Sequence, residues 1–444
     1  MIKAGFARVD VTPPLGSYIS GYYDPRYAKG VLDPLLATAV AFDNGKKKAV
    51  ILAVDVIGIG QIAMEKIRPA IAEAAGIPRE AVFVHCSHIH TGFGPVVGAR
   101  IRPEDDFYNS EFLVWLTKRL CDVAVMAFDD VAPAKMLYTK GEVRDVAFVR
   151  RFRMKDGSVR TNPGWQNPDI DHALGTPDEE SQLLILKREG KPEIGIVNFQ
   201  VHTDVIGGEM LSADYPGFVR RTYEKNVDNS RCMYICGTQG DTNHVDVRQS
   251  FEKDCAHGYE RSRYMGKKIA MSVLSNYELA RELSGDEINF AEKIIRVKYN
   301  KGGSEEEVRK AQELIDLQKK VGTDEALKGV EPIMRRVELI AEASRIVRMT
   351  KMPDEKELVI TALSVGNMAL ACFPGEPFTE VGRSVKRNSK FALTMTACCA
   401  NGYEGYFPTE QAFSEGGYEV LTTSYARGSA ERVIEASTEI VNAL

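Results

Sequence analysis

The stretch AVFVHCSHIHTGFG, residues 81 to 94, joins a short apolar run to a polar loop. Its first four residues, Ala81 to Val84, are of the apolar and β-branched kind that favours a buried strand. Three histidines follow within six residues, and two glycines close the segment. Open α/β sheets bind ligands at loops that follow strands in this way, so the stretch predicts an α/β fold with a site at the strand end.

The rest of the chain repeats this organisation. Other short apolar runs predict strands at Ala49 to Ile57, Ile194 to Val201, Cys232 to Cys236, Leu358 to Val365, Met368 to Phe373 and Phe391 to Cys398. Between them, helical patterns cover Ile62 to Ala75, closed by Gly76 and Pro78, and Glu260 to Leu283. Strands alternating with helices predict a mixed or partly parallel sheet.

One segment, from Ser304 to about Met349, differs in being rich in Glu, Lys, Arg, Leu and Ala. Ser304 and Glu307 form a capping-box pattern, a break follows at Gly322, and a second helix is predicted after Pro332. The pattern predicts a helical hairpin inserted before the last strands. An amphipathic surface cover, a lid over the site and a dimer contact are the three roles that it allows.

Composition excludes several classes of protein. The 444 residues carry a net charge of -5 with both signs interspersed, which leaves no basic surface of the kind that nucleic acid requires. No export signal and no apolar stretch of about 18 residues is found, so we expect no membrane-spanning segment. The eight cysteines, Cys255 among them, lie mostly in apolar runs, which predicts reduced thiols and a cytoplasmic protein.

Polar clusters follow five of the predicted strands, and we expect them to form one composite site. Beside the first stretch they are VHTDVIGG, GTQGDTNH, FPGEP and NGYEGYFPTE, which begin near residues 201, 237, 373 and 401. If the first strand continued, His88 and His90 would point to the same face, and His202 arrives from another strand end. Two imidazoles and a carboxylate such as Glu376 are a usual donor set for catalytic Zn²⁺.

The motifs of other common enzymes are absent. The sequence contains no HExxH, GxSxG, P-loop, complete GxGxxG or CxxC. Cys232 and Cys236 are therefore interpreted as core residues.

In this setting the motifs resemble, in order along nearly the whole chain, those of the neutral (non-lysosomal) ceramidases and their shorter bacterial relatives. Ser87 to Gly92 is similar to the family's T-H-T-H-S-G, and Val201-His202 resembles its second histidine strand. Leu211 to Gly217 follows where an S-x-D-x-x-G element is expected, and Phe373 to Pro377 contains P-G-E-P. Tyr406 and Tyr418 match the two tyrosines of its last motif.

The resemblance implies both a fold and the roles of particular residues. It implies stacked mixed β-sheets flanked by helices, in a single catalytic domain over residues 1 to 444 with the insert at about 304 to 349. Its zinc ligands would be His88, His202, Glu376 and Tyr406. His90, Arg150 and Tyr418 would contact substrate and stabilise the oxyanion.

The segment Gly240-Asp241-Thr242-Asn243-His244 departs from the family's pattern at one position. Asn243 stands where the ceramidases have a serine, and an amide cannot act as an alkoxide nucleophile. Hydrolysis is therefore expected to use zinc-bound hydroxide directly. Asn243 would orient the water or the substrate carbonyl, and Asp241 would brace a neighbouring loop or accept a proton.

The sequence thus predicts a zinc-dependent hydrolase of an amide or ester bond in a small, soluble substrate, including N-acylated compounds. The missing signal and the missing accessory β-domain of the family's secreted members argue against ceramide itself. Two alternatives stay open: a lactone- or carbohydrate-acting hydrolase or lyase on the same scaffold, and a non-catalytic metal-binding relative. The sequence also leaves a homo-oligomer open.

Overall fold

The computed structural model describes residues 1–93, 103–250 and 257–444. Its strands in chain order are β1 (Lys3–Asp10), β2 (Tyr18–Ile19), β3 (Arg26–Tyr27), β4 (Gly30–Val31), β5 (Leu36–Asp43), β6 (Lys48–Val54), β7 (Val82–Cys86), β8 (Ala132–Glu142), β9 (Phe148–Val149), β10 (Arg151–Met154), β11 (Val159–Thr161), β12 (Ile170–Ala173), β13 (Glu180–Arg188), β14 (Glu193–Phe199), β15 (Met210–Leu211), β16 (Ser230–Cys236), β17 (Thr242–Asn243), β18 (Arg281–Glu282), β19 (Ile288–Lys298), β20 (Glu355–Val365), β21 (Met368–Cys372), β22 (Glu376–Pro377), β23 (Leu393–Ala397) and β24 (Tyr406–Phe407).

The helices in chain order are α1 (Gln61–Ala75), α2 (Pro103–Asp129), α3 (Asp214–Asn226), α4 (Tyr259–Leu274), α5 (Glu305–Val321), α6 (Thr323–Ala326), α7 (Ile333–Met349), α8 (Thr379–Asn388), α9 (Glu410–Glu415), α10 (Tyr418–Thr422) and α11 (Ser429–Ala443). Short 3₁₀ turns lie at Arg79–Ala81 and Tyr277–Leu279. Over the described residues, no helix combines the length and the apolar character that crossing a bilayer needs.

Two mixed sheets dominate the described part of the chain. The larger runs in the order β16-β14-β13-β8-β1-β5-β6-β7, with β18 paired to β8 beside that path, and the smaller in the order β19-β20-β21-β23. Each contains parallel neighbours: β6 with β7, β14 with β16, and β21 with β23. Two parallel neighbours end at the same edge of their sheet, so the loops that follow them lie side by side. The loops after β7, β16 and β23 therefore lie beside the loops after β6, β14 and β21, respectively.

The two sheets pack face to face. Side chains alternate between the two faces of a strand, so one strand contributes to two different cores. In β6, Ile51 points into a core shared with Leu363 of β20 and Met395 of β23, all of them buried. Its neighbour Leu52 points the other way, into the core under α1 to α4. The continuous apolar run of β6 is therefore that of a strand covered on both faces.

Helices cover both outer faces of this pair of sheets. Val385 of α8 and Val433 and Ile440 of α11 pack on Ile360 of β20, on the side away from the larger sheet. With α1 to α4 on one side and α8 and α11 on the other, the layers follow the order helix, sheet, sheet, helix. This confirms the prediction of an α/β fold with stacked mixed sheets flanked by helices.

The segment from Ser304 to Met349 forms a helical hairpin of α5 to α7. The Ser304 side chain accepts from the Glu307 backbone and the Glu307 side chain accepts from Ser304, so the predicted capping box is present. Gly322, with φ of 83°, ends α5, and α7 begins after Pro332.

Two details of the sequence prediction are wrong. The helix predicted from Glu260 to Leu283 ends at Leu274, because Arg281 and Glu282 instead pair with Tyr138 and Leu137 at the edge of β8. The strand predicted to reach Ile57 ends at Val54.

The seven cysteines within the described ranges are free thiols. Cys232 and Cys236 are buried core residues, as predicted. Cys255 lies outside the described residues.

Candidate metal centre and active site

Three imidazoles converge in the interior of the protein. Nε2 of His90 lies 3.4 Å from Nε2 of His88 and 3.3 Å from Nε2 of His202. All three side chains are buried, and one ligand atom from each lies within 4.8 Å of the others. The cluster could therefore hold a metal ion.

The loop after β7 delivers two of these histidines by an irregular path. The strand ends at Cys86, and His88 adopts a φ of 61°, in the left-handed region that residues other than glycine rarely occupy. The prediction that His88 and His90 share one face of a strand is therefore wrong in its geometry. The turn still aims both rings at one point, and backbone strain of this kind is found mainly at functional sites.

Glu376 brings a carboxylate to the same point from the far end of the sequence. It lies on β22, where it pairs with Tyr406 of β24, and its Oε2 is 3.2 Å from His88 Nε2 and 3.8 Å from His202 Nδ1. Its other oxygen accepts a hydrogen bond of 2.7 Å from the Tyr403 hydroxyl. Burial alone would raise the pKa of Glu376, but the charge and hydrogen bond of His88 lower it to about 2.

The donor atoms of this cluster suit a divalent metal. Glu376 Oε2 is buried with His88 Nε2 at 3.2 Å and His202 Nδ1 at 3.8 Å, and a cation held by these three residues would satisfy the carboxylate. His88 Nδ1 lies 2.7 Å from the carbonyl oxygen of Ile57, so Nδ1 carries a proton. Burial opposes a charge on this ring, but Glu376 raises the pKa of His88, and a cation bound at Nε2 would displace the second proton. Burial also lowers the pKa of His90 and of His202 well below the usual value, which keeps both imidazoles neutral.

Arg150, Tyr406 and Tyr418 form a second group beside Glu376. The Arg150 guanidinium lies 5.4 Å from the centre of the Tyr406 ring, and the Tyr418 ring is 5.8 Å from the Tyr406 ring. Burial and Glu376 raise the pKa of Tyr406 well above its usual value. Without a further positive charge, Tyr406 is therefore a neutral phenol.

A buried carboxylate that the sequence did not reveal holds Arg150 in place. Glu419 Oε1 accepts 2.7 Å from Arg150 Nε, and its Oε2 accepts 3.1 Å from Thr161 Oγ1. Arg150 Nη2 also donates 2.9 Å to the carbonyl oxygen of Gly240. The adjacent Arg151 pairs with Glu415 at 3.0 Å and lies 3.8 Å from Glu419 Oε2.

Asp241 and Asn243 make their observed contacts with the surrounding protein. Asp241 Oδ1 accepts 2.7 Å from both the backbone and the hydroxyl of Thr379, at the start of α8 three residues after Glu376. Asn243 Oδ1 accepts 3.1 Å from the Val245 backbone, and its Nδ2 donates 3.0 Å to Asn162. These contacts favour bracing of a loop over proton transfer as the function of Asp241.

His85, the first histidine of the opening stretch, is a structural residue. Its Nδ1 lies 2.8 Å from the Cys398 carbonyl oxygen, and its Nε2 accepts 3.0 Å from the Cys236 backbone. A neutral ring satisfies both partners and joins β7 to the ends of β16 and β23. Burial accordingly lowers the pKa of His85 to about 4.

Sequence reasoning also missed Tyr403 and Asp204 as parts of the site. Tyr403 lies in the quoted loop NGYEGYFPTE and stacks on His88, with ring centres 5.8 Å apart. Asp204 lies in VHTDVIGG, with Oδ1 3.7 Å from His90 Nδ1. In the sequence, these two residues are marked only by their position in the polar loops.

Comparison with solved structures shows which fold this is. The chain matches a neutral ceramidase from Pseudomonas aeruginosa with a TM-score of 0.74 and 17% identity, over 100% of this chain and 74% of the other. It matches a second structure, of a ceramidase complexed with C2, with a TM-score of 0.70 and 15% identity, over 100% of this chain and 75% of the other. No family model and no curated protein matches the sequence.

The chain thus has the neutral ceramidase fold, and the resemblance inferred from its ordered motifs is confirmed at the level of the fold. At 17% and 15% sequence identity, the shared fold does not define the reaction, so the reaction is argued from the residues of the site.

Proposed function

We propose that this protein is a zinc-dependent hydrolase that cleaves an amide bond, or a related ester, in a small N-acylated substrate. One observation carries the proposal: His88, His202 and Glu376 converge in a buried cluster, with Glu376 Oε2 3.2 Å from His88 Nε2 and 3.8 Å from His202 Nδ1. Two imidazoles and a carboxylate are a usual donor set of catalytic zinc. The fold, shared with two ceramidases, supports the choice of amide chemistry.

His88, His202 and Glu376 would hold the ion, with Tyr406 as the proposed fourth ligand. A metal bound there would polarise the substrate carbonyl and activate water. Deprotonation of Tyr406 would require such a charge, since burial and Glu376 keep the free phenol protonated. His90 lies within reach of the same ion, so His90 either contacts substrate, as the resemblance implies, or adds a third imidazole.

Arg150 and Tyr418 would stabilise the oxygen that becomes negative when the carbonyl is attacked. Arg150 is fixed by Glu419 and by Gly240, so its positive charge is oriented before substrate arrives. Preorganised charge of this kind is usually the largest contribution to catalysis. Tyr418 is only half-buried, and its hydroxyl is the proposed second donor to that oxygen.

Water is the proposed attacking group because the chain offers no hydroxyl at the position of Asn243. The amide of Asn243 is hydrogen-bonded to Asn162 and to the Val245 backbone. Asn243 is thus assigned to shaping the loop, and Asp241 to holding the start of α8 behind Glu376.

The test combines metal analysis with a substrate panel. Protein purified without chelator should contain about one zinc per chain by elemental analysis. It should hydrolyse members of a panel of N-acyl amino acids, N-acyl sphingosines and aryl esters, and His88→Ala should abolish both metal and turnover. Activity only on lactones or glycosides in the same panel would refute amide hydrolysis, and a metal-free wild type with full activity would refute the metal.

A further inference from the structure

The segment from Leu211 to Arg220 is buried at every residue and runs from the end of β15 into α3. It contains the motif Leu211 to Gly217, which contributes none of the proposed metal ligands. Its polar groups are removed from water, so they need partners inside the protein. Those partners lead to the loops that carry His88, His90 and His202.

The loop that carries His202 is held on both sides of that residue. On the N-terminal side, the Tyr215 hydroxyl donates 2.6 Å to the carbonyl oxygen of Val201. On the C-terminal side, Asp214 Oδ2 accepts 2.9 and 3.1 Å from the backbone N–H groups of residues 205 and 206. Asp214 is fully buried and has a φ of 50°, in the left-handed region. Such a conformation persists only where the surrounding contacts enforce it.

The same segment holds the loop that carries His90. The Ser212 backbone N–H donates 3.2 Å to the Thr91 carbonyl oxygen, and the Thr91 hydroxyl donates 3.1 Å to the Ser212 carbonyl oxygen. The His90 backbone N–H donates 3.1 Å to the carbonyl oxygen of Thr203, the residue after His202. The loops of His90 and His202 are therefore tied both to the segment and to each other.

A buried ion pair links α3 to the turn that carries His88. Arg220 donates from Nη1 and Nη2 to the two carboxylate oxygens of Asp55, at 2.9 and 2.6 Å. Asp55 Oδ1 also accepts 3.1 Å from the hydroxyl of Ser87, the residue before His88. A two-atom contact of this kind fixes orientation as well as distance. Arg220 thus acts on the left-handed turn at His88 through Asp55 and Ser87.

From these contacts we infer that the segment from 211 to 220 sets the mutual spacing of the three imidazoles, with Asp214 and Arg220 as positioning residues. The inference rests on the proposed metal site and concerns how that site keeps its shape before the ion arrives. Replacing a buried ion pair by apolar residues is often neutral for stability, so stability alone does not account for Arg220 and Asp55. Ligands that are already held at the right spacing lose less freedom on binding, which raises metal affinity.

The test compares metal affinity with stability in two variants. Asp214→Gly removes the carboxylate and tolerates the φ of 50° at this position. Arg220→Lys keeps the charge beside Asp55, so the fold should be retained, but lysine cannot make the two-atom contact. We expect each variant to weaken zinc binding about tenfold or more, measured by competition with a chromogenic chelator. The visible absorption of the Co²⁺-substituted protein should change as well, because it reports the geometry of the ligands.

Two matched controls carry the same substitutions elsewhere. Arg8→Lys breaks a two-atom pair with Glu224 of the same helix, and Asp145→Gly replaces an exposed aspartate with a φ of 59°. Both should retain the zinc affinity and the Co²⁺ spectrum of the wild type, and urea unfolding of the metal-free proteins gives the stability of all four variants. Asp214→Asn keeps an oxygen acceptor and tolerates the left-handed conformation, so its zinc affinity should lie between those of Asp214→Gly and the wild type.

The outcomes separate this inference from the proposed function. Weaker zinc binding and an altered Co²⁺ spectrum in both variants, with unchanged controls, support the inference. Wild-type affinity in both variants would overturn it, and so would a loss in Arg8→Lys as large as that in Arg220→Lys, because the effect would then follow stability. A wild type that binds neither ion would overturn the metal site together with the inference. A wild type that binds zinc but hydrolyses no member of the substrate panel would refute the proposed reaction alone.

Discussion

Oε2 of Glu376 lies 3.2 Å from Nε2 of His88, although the two residues come from different sheets. β7 of the larger sheet delivers His88, and the loop after β21 of the smaller sheet delivers Glu376. The stacking of the two sheets is thus what creates the donor set. The candidate site lies where loops of both sheets meet.

Removing the charge of Glu376 should remove the metal. Glu376→Gln keeps an oxygen for the Tyr403 hydroxyl but presents no anion, so zinc affinity should fall by more than an order of magnitude. Zinc retained after dialysis against a chelator measures this. Glu380→Gln, a half-buried position four residues later, is the control, and full zinc in Glu376→Gln would contradict the assignment.

The Tyr403 hydroxyl should tune the site without binding the ion. Tyr403→Phe deletes the 2.7 Å hydrogen bond to Glu376 Oε1 and leaves the ring stacked on His88. Loss of such an outer contact typically costs about 10- to 100-fold in metal affinity. Competition with a chromogenic chelator reports the change, with the exposed Tyr264→Phe as reference, and equal affinities would show that the hydrogen bond is inconsequential.

His85 should make the protein sensitive to acid independently of metal. Burial lowers the pKa of His85 to about 4 from an ordinary 6.5, so the unfolded chain binds the extra proton first. The contribution of His85 is complete above pH 6.5 and is lost as the pH falls toward 4, by about 3 kcal/mol.

Urea unfolding of chelator-treated protein between pH 7 and pH 4 measures this loss. His85→Gln should be less stable at pH 7, because the buried Cys236 N–H loses its partner, and its stability should depend less on pH. Parallel pH curves for the two proteins would show that His85 is not the cause.

Asn243 should matter far less than the metal ligands. Asn243→Ala breaks the contacts to Asn162 and Val245 but removes no nucleophile. We expect unchanged zinc and a loss of turnover within about tenfold, against complete loss in His88→Ala. The comparison uses the best substrate of the panel, and inactivation of Asn243→Ala with zinc retained would place Asn243 in the chemistry.

The sequence predicted the strands well because their composition records burial on both faces. In β6 every residue from Ala49 to Val54 is buried, and the apolar run reveals it. The end of α4 was not predictable, since only pairing with β8 across the fold draws Arg281 and Glu282 out of a helical pattern. Local patterns thus determined elements, whereas tertiary pairing determined where some of them stop.

For the candidate site, spacing indicated the histidines but not the residues that orient them. His88 and His90 were found by their density, although a left-handed turn rather than a strand aims them. No regular sequence spacing links the remaining site residues to their partners, because each pair joins two different loops. These residues are Glu419, Tyr403 and Asp204. Such contacts depend on distances that only the folded chain defines.

The separation of the proposed ligands along the chain also orders the maturation of the protein in the cell. Glu376 leaves the ribosome 288 residues after His88, an interval of about 15 to 60 s at ordinary rates of translation. During that interval the nascent chain displays a pair of histidines without their carboxylate. If the proposed site needs His88, His202 and Glu376 together, its ion is taken up only after residue 376 of the 444 has been made.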